Sequence, residues 1–580
     1  VEKPQYAGLS CRRSTTNGEE PLVWFVPTLI TLIALLSSYL PPQFYFLQHL
    51  FRKIFRPFAF EFIAWASRQE SMNHFGKNIL QCAALFFTSA CIAQSAANYE
   101  LSTTLPPKVA REFRGAWIAT VANIDWPSKP GLSTAQQKAE LILLLNRAQQ
   151  LKLNAVIFQV RPACDAFYDS KIEPWSEYLT GVMGKAPEPF YDPLAFAIQE
   201  AHKCGLELHA WFNPYRALHK SHEGKVSRNH ISKTRPELVR RFGQYLWLDP
   251  GEREVQEYSL SVVMDVVKRY DIDGVQFDDY FYLSAEDAGI KNQDFPDDRS
   301  WKKYGEGGGL SRDDWRRENV NGFVERVYRS IKAAKPWVKF GISPFGIWRP
   351  GYPPQIKGSD ATIKYFADSR KWLMNGWVDY LAPQLYWPIN QTEQSFPALL
   401  DWWADQNPKG RSLWPGLSVA NAGKWKPDEI PNQIRLTRKQ TGASGYILYD
   451  MKSLLLNSPL CGELERSLNS EAALVRASSW LGNSPPGKPS LSLTVSAGNL
   501  KATWNSSGTN AARWWVLQTK SFNDWKTEIF AADVVSKVFN TPPEAIAITA
   551  IDRVGNASVP WVLQRKQKAP PSNRILLKKN

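Results

Sequence analysis

Between residues 111 and 466 the chain repeats one pattern: a short, unbroken apolar run, then a longer stretch with apolar residues at helical spacing. The apolar runs are 113–120, 155–160, 206–212, 274–277, 339–343, 378–384, 413–419 and 445–449. They are short and rich in Val, Ile, Phe, Tyr and Trp, so they read as buried strands. The stretches between them, 136–151, 193–204, 254–270, 320–335, 363–375, 396–406 and 431–441, read as amphipathic helices. Eight strands alternating with helices predict an α/β fold with parallel strands, a (β/α)8 TIM barrel over 111–466. A doubly wound open sheet is the competing topology, but no glycine-rich phosphate loop follows the first run.

In such a barrel the residues just beyond each strand gather at one opening. The fourth run, 270–282, is the most telling. Gly274-Val275-Gln276-Phe277 leads directly into Asp278-Asp279-Tyr280-Phe281-Tyr282. A single Asp at a strand end is more often a loop or helix cap than a catalyst. Two adjacent carboxylates are harder to explain that way, because like charges side by side raise one pKa and cost stability. On a regular strand neighbouring side chains point apart, so Asp278 and Asp279 need not form one working pair. Asp125 and Asp165, at the first and second tips, are second-rank candidates for a proton donor. The remaining tip residues are amides, arginines and aromatics: Trp117, Trp126, Gln159, Arg161, Trp211, Asn213, Tyr215, Arg216, Gln276, Tyr280, Gln384, Tyr386 and Trp387. Amides and guanidinium groups suit hydroxyl and acetamido groups, and indoles suit the apolar face of a sugar ring. Carboxylates suit acid–base or nucleophilic work at an acetal.

Other chemistries lack residues to stand on. There is no Gly-x-Ser-x-Gly elbow and no phosphate-binding loop. His219, His222 and His230 lie near one another but without an HExxH pattern, so the segment reads as a polar loop and no metal or other cofactor is expected. Beyond Cys91 only Cys164, Cys204 and Cys461 remain, with no disulfide or metal spacing, and they are expected to be buried free thiols. The formal charge of +15 is dispersed over the chain, which carries no nucleic-acid-binding signature. A basic surface facing an anionic cell envelope fits better, and no nucleic-acid partner is expected.

Residues 72–95 have the pattern of a signal peptide: a positive start from Met72 to Lys77, an apolar centre over 79–92, and small residues around Ala90–Ala96. The expectation is that translation begins at Met72 and that 1–71, a hydrophobic segment, is an upstream extension. A genuine N-terminal membrane anchor is the alternative. Thr88-Ser-Ala-Cys91 is a partial match to a lipoprotein box, leaving open a lipidated Cys91 or a soluble periplasmic form. Residues 96–110 and 467–489 read as linkers. Between 490 and 566 short alternating runs predict a small all-β sandwich of the fibronectin type III kind, followed by a basic tail at 567–580.

The barrel segment resembles a known family. Arg114-Gly-Ala-Trp-Ile-Ala-Thr120, Ile124-Asp-Trp-Pro127, Phe158-Gln-Val-Arg-Pro162, Glu173-Pro-Trp-Ser-Glu-Tyr-Leu-Thr-Gly181, His209-Ala-Trp-Phe-Asn-Pro-Tyr-Arg216, Leu248-Asp-Pro-Gly251, 273–282 and Ala382-Pro-Gln-Leu-Tyr-Trp387 are similar to the bacterial glycosyl-hydrolase-like family ten, formerly domain of unknown function 187. The resemblance implies a TIM-barrel glycosidase that is secreted or lipid-anchored in the bacterial cell envelope, either periplasmic or at the outer membrane. It implies a polysaccharide substrate, peptidoglycan glycan strands stripped of stem peptides, and cell-division proteins as partners. The fourth-strand motif would be its centre. A non-catalytic glycan-binding protein using the same aromatic cleft is the competing function.

Overall fold

The computed structural model describes residues 98–566, apart from 497–498, 509–510 and 523. The upstream segment 1–71, the signal-peptide pattern at 72–95 with Cys91, and the basic tail therefore lie outside the described residues. Among those described, no helix is long and apolar enough to cross a membrane.

The repeat over 111–466 folds as a parallel α/β array. Its strands are β1 (Phe113–Ile118), β2 (Ala155–Arg161), β3 (Glu207–Phe212), β4 (Gly274–Phe277), β5 (Lys339–Ile342), β6 (Tyr380–Leu381), β7 (Ser412–Leu413), β8 (Gly416–Ser418) and β9 (Gly445–Tyr449). Neighbours pair in parallel in the order β7-β6-β5-β4-β3-β2-β1-β9-β8. The two outermost strands, β7 and β8, are separated in the chain only by Trp414 and Pro415. The single run expected over 413–419 is thus split at Pro415, which has no N–H to give to a ladder. The sheet is strongly curled, nearly a barrel, with the two halves of this run at its ends.

The main helices follow the expected periodicity, with ends set by capping. They are α1 (Thr134–Gln150), α2 (Pro193–Lys203), α3 (Arg253–Arg269), α4 (Arg312–Ala334), α5 (Ser369–Asn375), α6 (Phe396–Asp405) and α7 (Glu429–Lys439). At the start of α1, Ser133 and Gln136 form a reciprocal capping box. Asp192 caps α2, with Pro193 at the first turn, where its missing N–H costs nothing. Helix α4 begins eight residues before the expected 320 because Ser311 caps a polar, charged first turn. The helix expected over 363–375 is two pieces, Ala361–Lys364 and α5, each capped by an aspartate, Asp360 and Asp368.

The β1–β5 strands are wholly buried, as inward and outward faces both meet protein. An antiparallel three-stranded insertion, Arg216–Leu218, Val239–Phe242 and Tyr245–Leu248, stands after β3.

The C-terminal segment forms two antiparallel sheets on a shared core. One holds Ser490–Ser496, Asn499–Asn505 and Ser536–Phe539. The other holds Trp514–Ser521, Asp524–Ala531, Ala545–Ile551, Trp561–Arg565 and Tyr99–Leu101. Leu493, Trp504, Trp515, Leu517 and Ile548 are among the residues between them. The segments read as linkers carry structure: Tyr99–Leu101 is the edge strand of this sheet, and Ala110–Arg111 pairs in parallel with Ala473–Leu474.

The described residues belong to one compact unit. The C-terminal sheets pack against the end of the parallel array where strands begin. Arg513 reaches Asp273, just ahead of β4, at 2.8 and 3.1 Å, and also contacts Asp271 and His202. Trp480 Nε1 donates to Asp379, just ahead of β6, at 2.8 Å. This end is covered, leaving the strand C-terminal ends to form the open face. Of the three thiols, Cys164 and Cys461 are buried and free, whereas Cys204 is only partly buried because it sits at the exposed end of α2.

Candidate active site

The open face carries a cleft of about 330 Å³ lined by Trp117, Val121, Ile124, Gln159, Trp211, Arg216, His219, Gln276, Asp278, Asp279, Tyr280, Ser343, Gln384, Tyr386 and Tyr449. Strands β1 to β6 and β9 deliver residues at or just beyond their tips here because parallel strands all end on the same side.

Asp278 and Asp279 line this cleft together. Strand β4 ends at Phe277, so the alternation that would send the two side chains to opposite faces has already stopped. Asp278 is held by three N–H···O contacts. Asn213 Nδ2 donates to both carboxylate oxygens at 3.0 Å, and Trp211 Nε1 to Oδ2 at 3.3 Å. Burial raises the Asp278 carboxyl, but the Arg216 charge and these donors oppose the rise. Asp279 is pushed up to about 7, first by burial and then by the charge of Asp278. Both carboxyls are raised by burial, Asp278 against the pull of Arg216 and its donors, and Asp279 with the added push of Asp278. The cleft therefore holds two neighbouring carboxyls in unlike environments.

Around them stands an aromatic wall. Trp117 meets Tyr449 edge-on at 6.0 Å between ring centroids, and Tyr449 stacks on Tyr386 at 5.7 Å. Tyr280 packs over the Arg216 guanidinium at 5.3 Å. Gln159 accepts from the backbone N–H of Thr120 and Val121 at 2.9 and 2.8 Å, which fixes its carbonyl oxygen. Its Nε2, like that of Gln276, is buried without a protein partner. Two amide donors in the wall are thus left for a ligand.

The other candidates fall elsewhere. Asp125 does not line the cleft. It accepts from Ala119 N at 2.6 Å and Lys452 N at 2.7 Å, tying the loop after β1 to the start of the helix after β9. Burial, then the Asp450 charge, pushes it up to about 8. Asp165 is also outside, 1% exposed, bonded to Ala163 N at 2.9 Å and raised by burial to about 7. These two raised carboxyls belong to buried turns, where desolvation is the largest cause of the shift.

Arg161 is a support rather than a wall residue. It makes a buried bidentate pair with Glu173, at 2.6–3.0 Å, and donates to the Asn213 carbonyl at 2.7 Å. Asn213 in turn accepts from Tyr215 N and Arg216 N while holding Asp278. Trp126 and Tyr215 are core residues, and Trp126 spends its indole N–H on Gln137 O. Trp387 packs beneath the cleft against Gly346, outside the lining.

Tyr449 and Ile124 line the cleft but were not among the candidates read from the sequence; their neighbours Asp450 and Asp125 accept from backbone N–H groups at the start of the helix after β9. His219 was read only with its loop, yet the three-stranded insertion brings it to the cleft. Its loop partners are separately engaged: His222 with Glu177 at 2.6 Å, and His230 with Ala217 O at 3.0 Å. Among the described residues no cluster of His, Cys, Asp and Glu is arranged to hold a metal.

The sequence agrees with this geometry. Residues 112–426 match the family model described as glycosyl hydrolase-like 10. The chain is 43% identical over 396 residues to the glycosyl hydrolase YngK of Bacillus subtilis strain 168, covering 66% of this chain and 76% of that protein. It is 37% identical over 390 residues to the glycosyl hydrolase DigH of Escherichia coli K12, covering 61% and 87%. Among solved structures, the glycoside hydrolase domain of PgaB (BpsB) from Bordetella bronchiseptica aligns with a TM-score of 0.40 at 14% identity, over 61% of this chain and 98% of that one. The chain belongs to the glycosyl hydrolase-like 10 family and is a glycoside hydrolase.

Proposed function

We propose that the protein hydrolyses glycosidic bonds of a cell-envelope amino-sugar polymer, namely peptidoglycan glycan strands that have lost their stem peptides. The observation that carries this reading is the Asp278/Asp279 pair in one cleft, with Asp278 held by Asn213 and Trp211 and Asp279 raised to about 7 by burial and by the charge of Asp278. Asp279 gives its proton to the leaving glycosidic oxygen, and Asp278 acts as nucleophile or base at the sugar carbon. The rings of Trp117, Tyr386 and Tyr449 offer apolar faces to sugar rings, and the free amide N–H groups of Gln159 and Gln276 suit acetamido oxygens. The relatives described as glycosyl hydrolases support the reaction class.

The finer structural expectations belong to the same reading. The curled sheet is a closed (β/α)8 barrel whose seventh strand is interrupted at Pro415, and the C-terminal sheets are a fibronectin type III-like module. Residues 72–95 direct export to the envelope, where the protein is periplasmic or held by a lipidated Cys91, close to cell-division proteins.

The test is product analysis. Purified protein is incubated with intact peptidoglycan and with peptidoglycan pretreated with an amidase that removes stem peptides. New reducing ends only, or mainly, from the stripped polymer are expected. Equal release from both, or release from neither while another amino-sugar polymer is cut, would overturn the substrate assignment.

A further inference from the structure

Beneath the cleft runs a buried polar chain that the hydrolytic pair does not touch. Lys339 Nζ donates to both oxygens of Glu207, at 2.9 and 3.0 Å. Glu207 Oε2 stands 3.1 Å from His209 Nε2, and His209 Nδ1 stands 2.9 Å from the Tyr380 hydroxyl. Tyr380 donates to Gln276 Oε1 at 3.4 Å, and Gln276 lies in the cleft wall with its Nε2 unpartnered. The chain thus joins the covered end of the strand array to the substrate face.

The strands are shaped around it. A Cβ on Gly274 would lie 2.6 Å from His209 Nδ1, and one on Gly341 would lie 2.1 Å from the Tyr380 ring. Both glycines leave space for a ring from a neighbouring strand.

A proton count along the chain, taken with Tyr380 donating to Gln276, gives one consistent direction for each bond. Burial would raise the Glu207 carboxyl, but Lys339 and His209 outweigh it and hold it below its ordinary value. Glu207 is therefore ionised and accepts only, so His209 Nε2 carries a hydrogen. Tyr380 has one hydrogen and gives it to Gln276, so the hydrogen between Tyr380 and His209 sits on Nδ1. With both nitrogens protonated the ring is an imidazolium. Phe113 and Tyr380 stand against the His209 ring at centroid distances of 5.5 and 5.3 Å. Of the charged groups near it, Arg513 pairs with Asp273 and Lys332 with Asp379, so Glu207, shared with Lys339, is the carboxylate that faces the ring.

The geometry points to His209 as a positioning residue: as an imidazolium it directs the hydrogen bonds through Tyr380, so that Gln276 presents its NH2 to an oxygen of the bound glycan. The glycan partner rests on the function proposed above; the proton arrangement does not. The alternative is a neutral His209 that accepts from Tyr380, with the Gln276 amide turned to show its carbonyl to the substrate.

Two measurements decide. Tyr380→Phe keeps the ring over Gly341 and its stacking on Trp414 but removes the hydroxyl. Calorimetric binding of a peptide-free glycan oligosaccharide, on an Asp278→Asn background to prevent turnover, is expected to weaken about tenfold, as for a lost hydrogen bond, with Tm unchanged. The same Kd with and without the hydroxyl overturns the relay. The second is 15N NMR of histidine-labelled protein, with His209→Gln to identify the signal. Both His209 nitrogens are expected to be protonated, and one unprotonated nitrogen at the pH of the binding assay overturns the proposal. If no oligosaccharide binds at all, the substrate assignment falls, and the nitrogen spectrum still decides the state of His209.

Discussion

Replacing Asp279 by Asn separates the cost of the site from its use. Asp279 is 4% exposed and its carboxyl is raised from the ordinary 3.8 to about 7, by burial and then by Asp278. The unfolded chain loses this proton near 3.8, whereas the folded protein keeps it until about 7. Below the lower value both states are neutral and no penalty exists. Between the two the folded state is progressively penalised, and above the upper value the penalty is complete. Each tenfold change in acidity is worth about 1.4 kcal/mol, so the full penalty approaches ~4 kcal/mol. Asn has nearly the shape of the neutral acid and never ionises. With a melting entropy of roughly 2 cal/mol/K per residue over the described chain, ~4 kcal/mol corresponds to a Tm difference of about 4 °C.

The assay is thermal unfolding of wild type and Asp279→Asn from pH 4 to pH 9, with glycan hydrolysis measured on the same samples. The variant should match wild type near pH 4, gain stability relative to it as the pH rises from 4 to about 7 with no further gain above, and lose roughly 10²–10⁴-fold in turnover, the range expected for a missing general acid. Wild-type kcat/KM should fall as the pH rises above about 7, as Asp279 gives up its proton. A stability gap that does not change with pH, or a variant less stable throughout, would refute the reasoning. Asp279 would then be an ionised, well-satisfied carboxylate rather than a held acid.

Asp278→Asn should abolish hydrolysis while leaving unfolding at pH 5 within a few degrees of wild type; activity near the wild-type rate would remove its assignment. Asp165→Asn, away from the cleft, should retain activity within about fivefold, a small effect on the barrier scale, and a loss comparable to Asp278→Asn would reopen its role. Arg161→Ala should cost about 3–5 kcal/mol by leaving Glu173 buried without its partner, seen as a lowered unfolding midpoint. Arg513→Ala should be similarly destabilising. Burial opposes the Asp273 charge, but Arg513 and His202 hold that carboxyl well below its usual range, so their contribution is present above pH 4 and fades as acid protonates it. A melting curve for Arg513→Ala that equals wild type at pH 7 would show the C-terminal sheets to be a mere attachment.

Much of this protein could be read before any coordinates. The strand–helix rhythm is a statement about which residues avoid water at which spacing, and local spacing survives folding. Hence β9 lies at the expected residues, and α2 and α6 end within one residue of expectation. The acid pair was also visible, because adjacent carboxylates after a buried strand are costly wherever they occur. The surroundings of Asp278 were not: Trp211 lies in β3, Asn213 just beyond it and Arg216 at the start of the three-stranded insertion, and only packing brings them to Asp278. The same limit applies to the candidates that lie outside the cleft lining. Asp125 and Asp165 look like Asp278 in sequence, but backbone N–H groups of neighbouring turns claim them. Likewise, nothing local says that Tyr99 joins a strand more than four hundred residues away, or that Arg513 closes the far end of the strand array. Sequence alone determined the periodic elements and the kinds of chemical group at their tips, since both depend on near neighbours. Tertiary structure decided which of those groups share a cleft and which hold a proton, because burial and charge act through space and not along the chain.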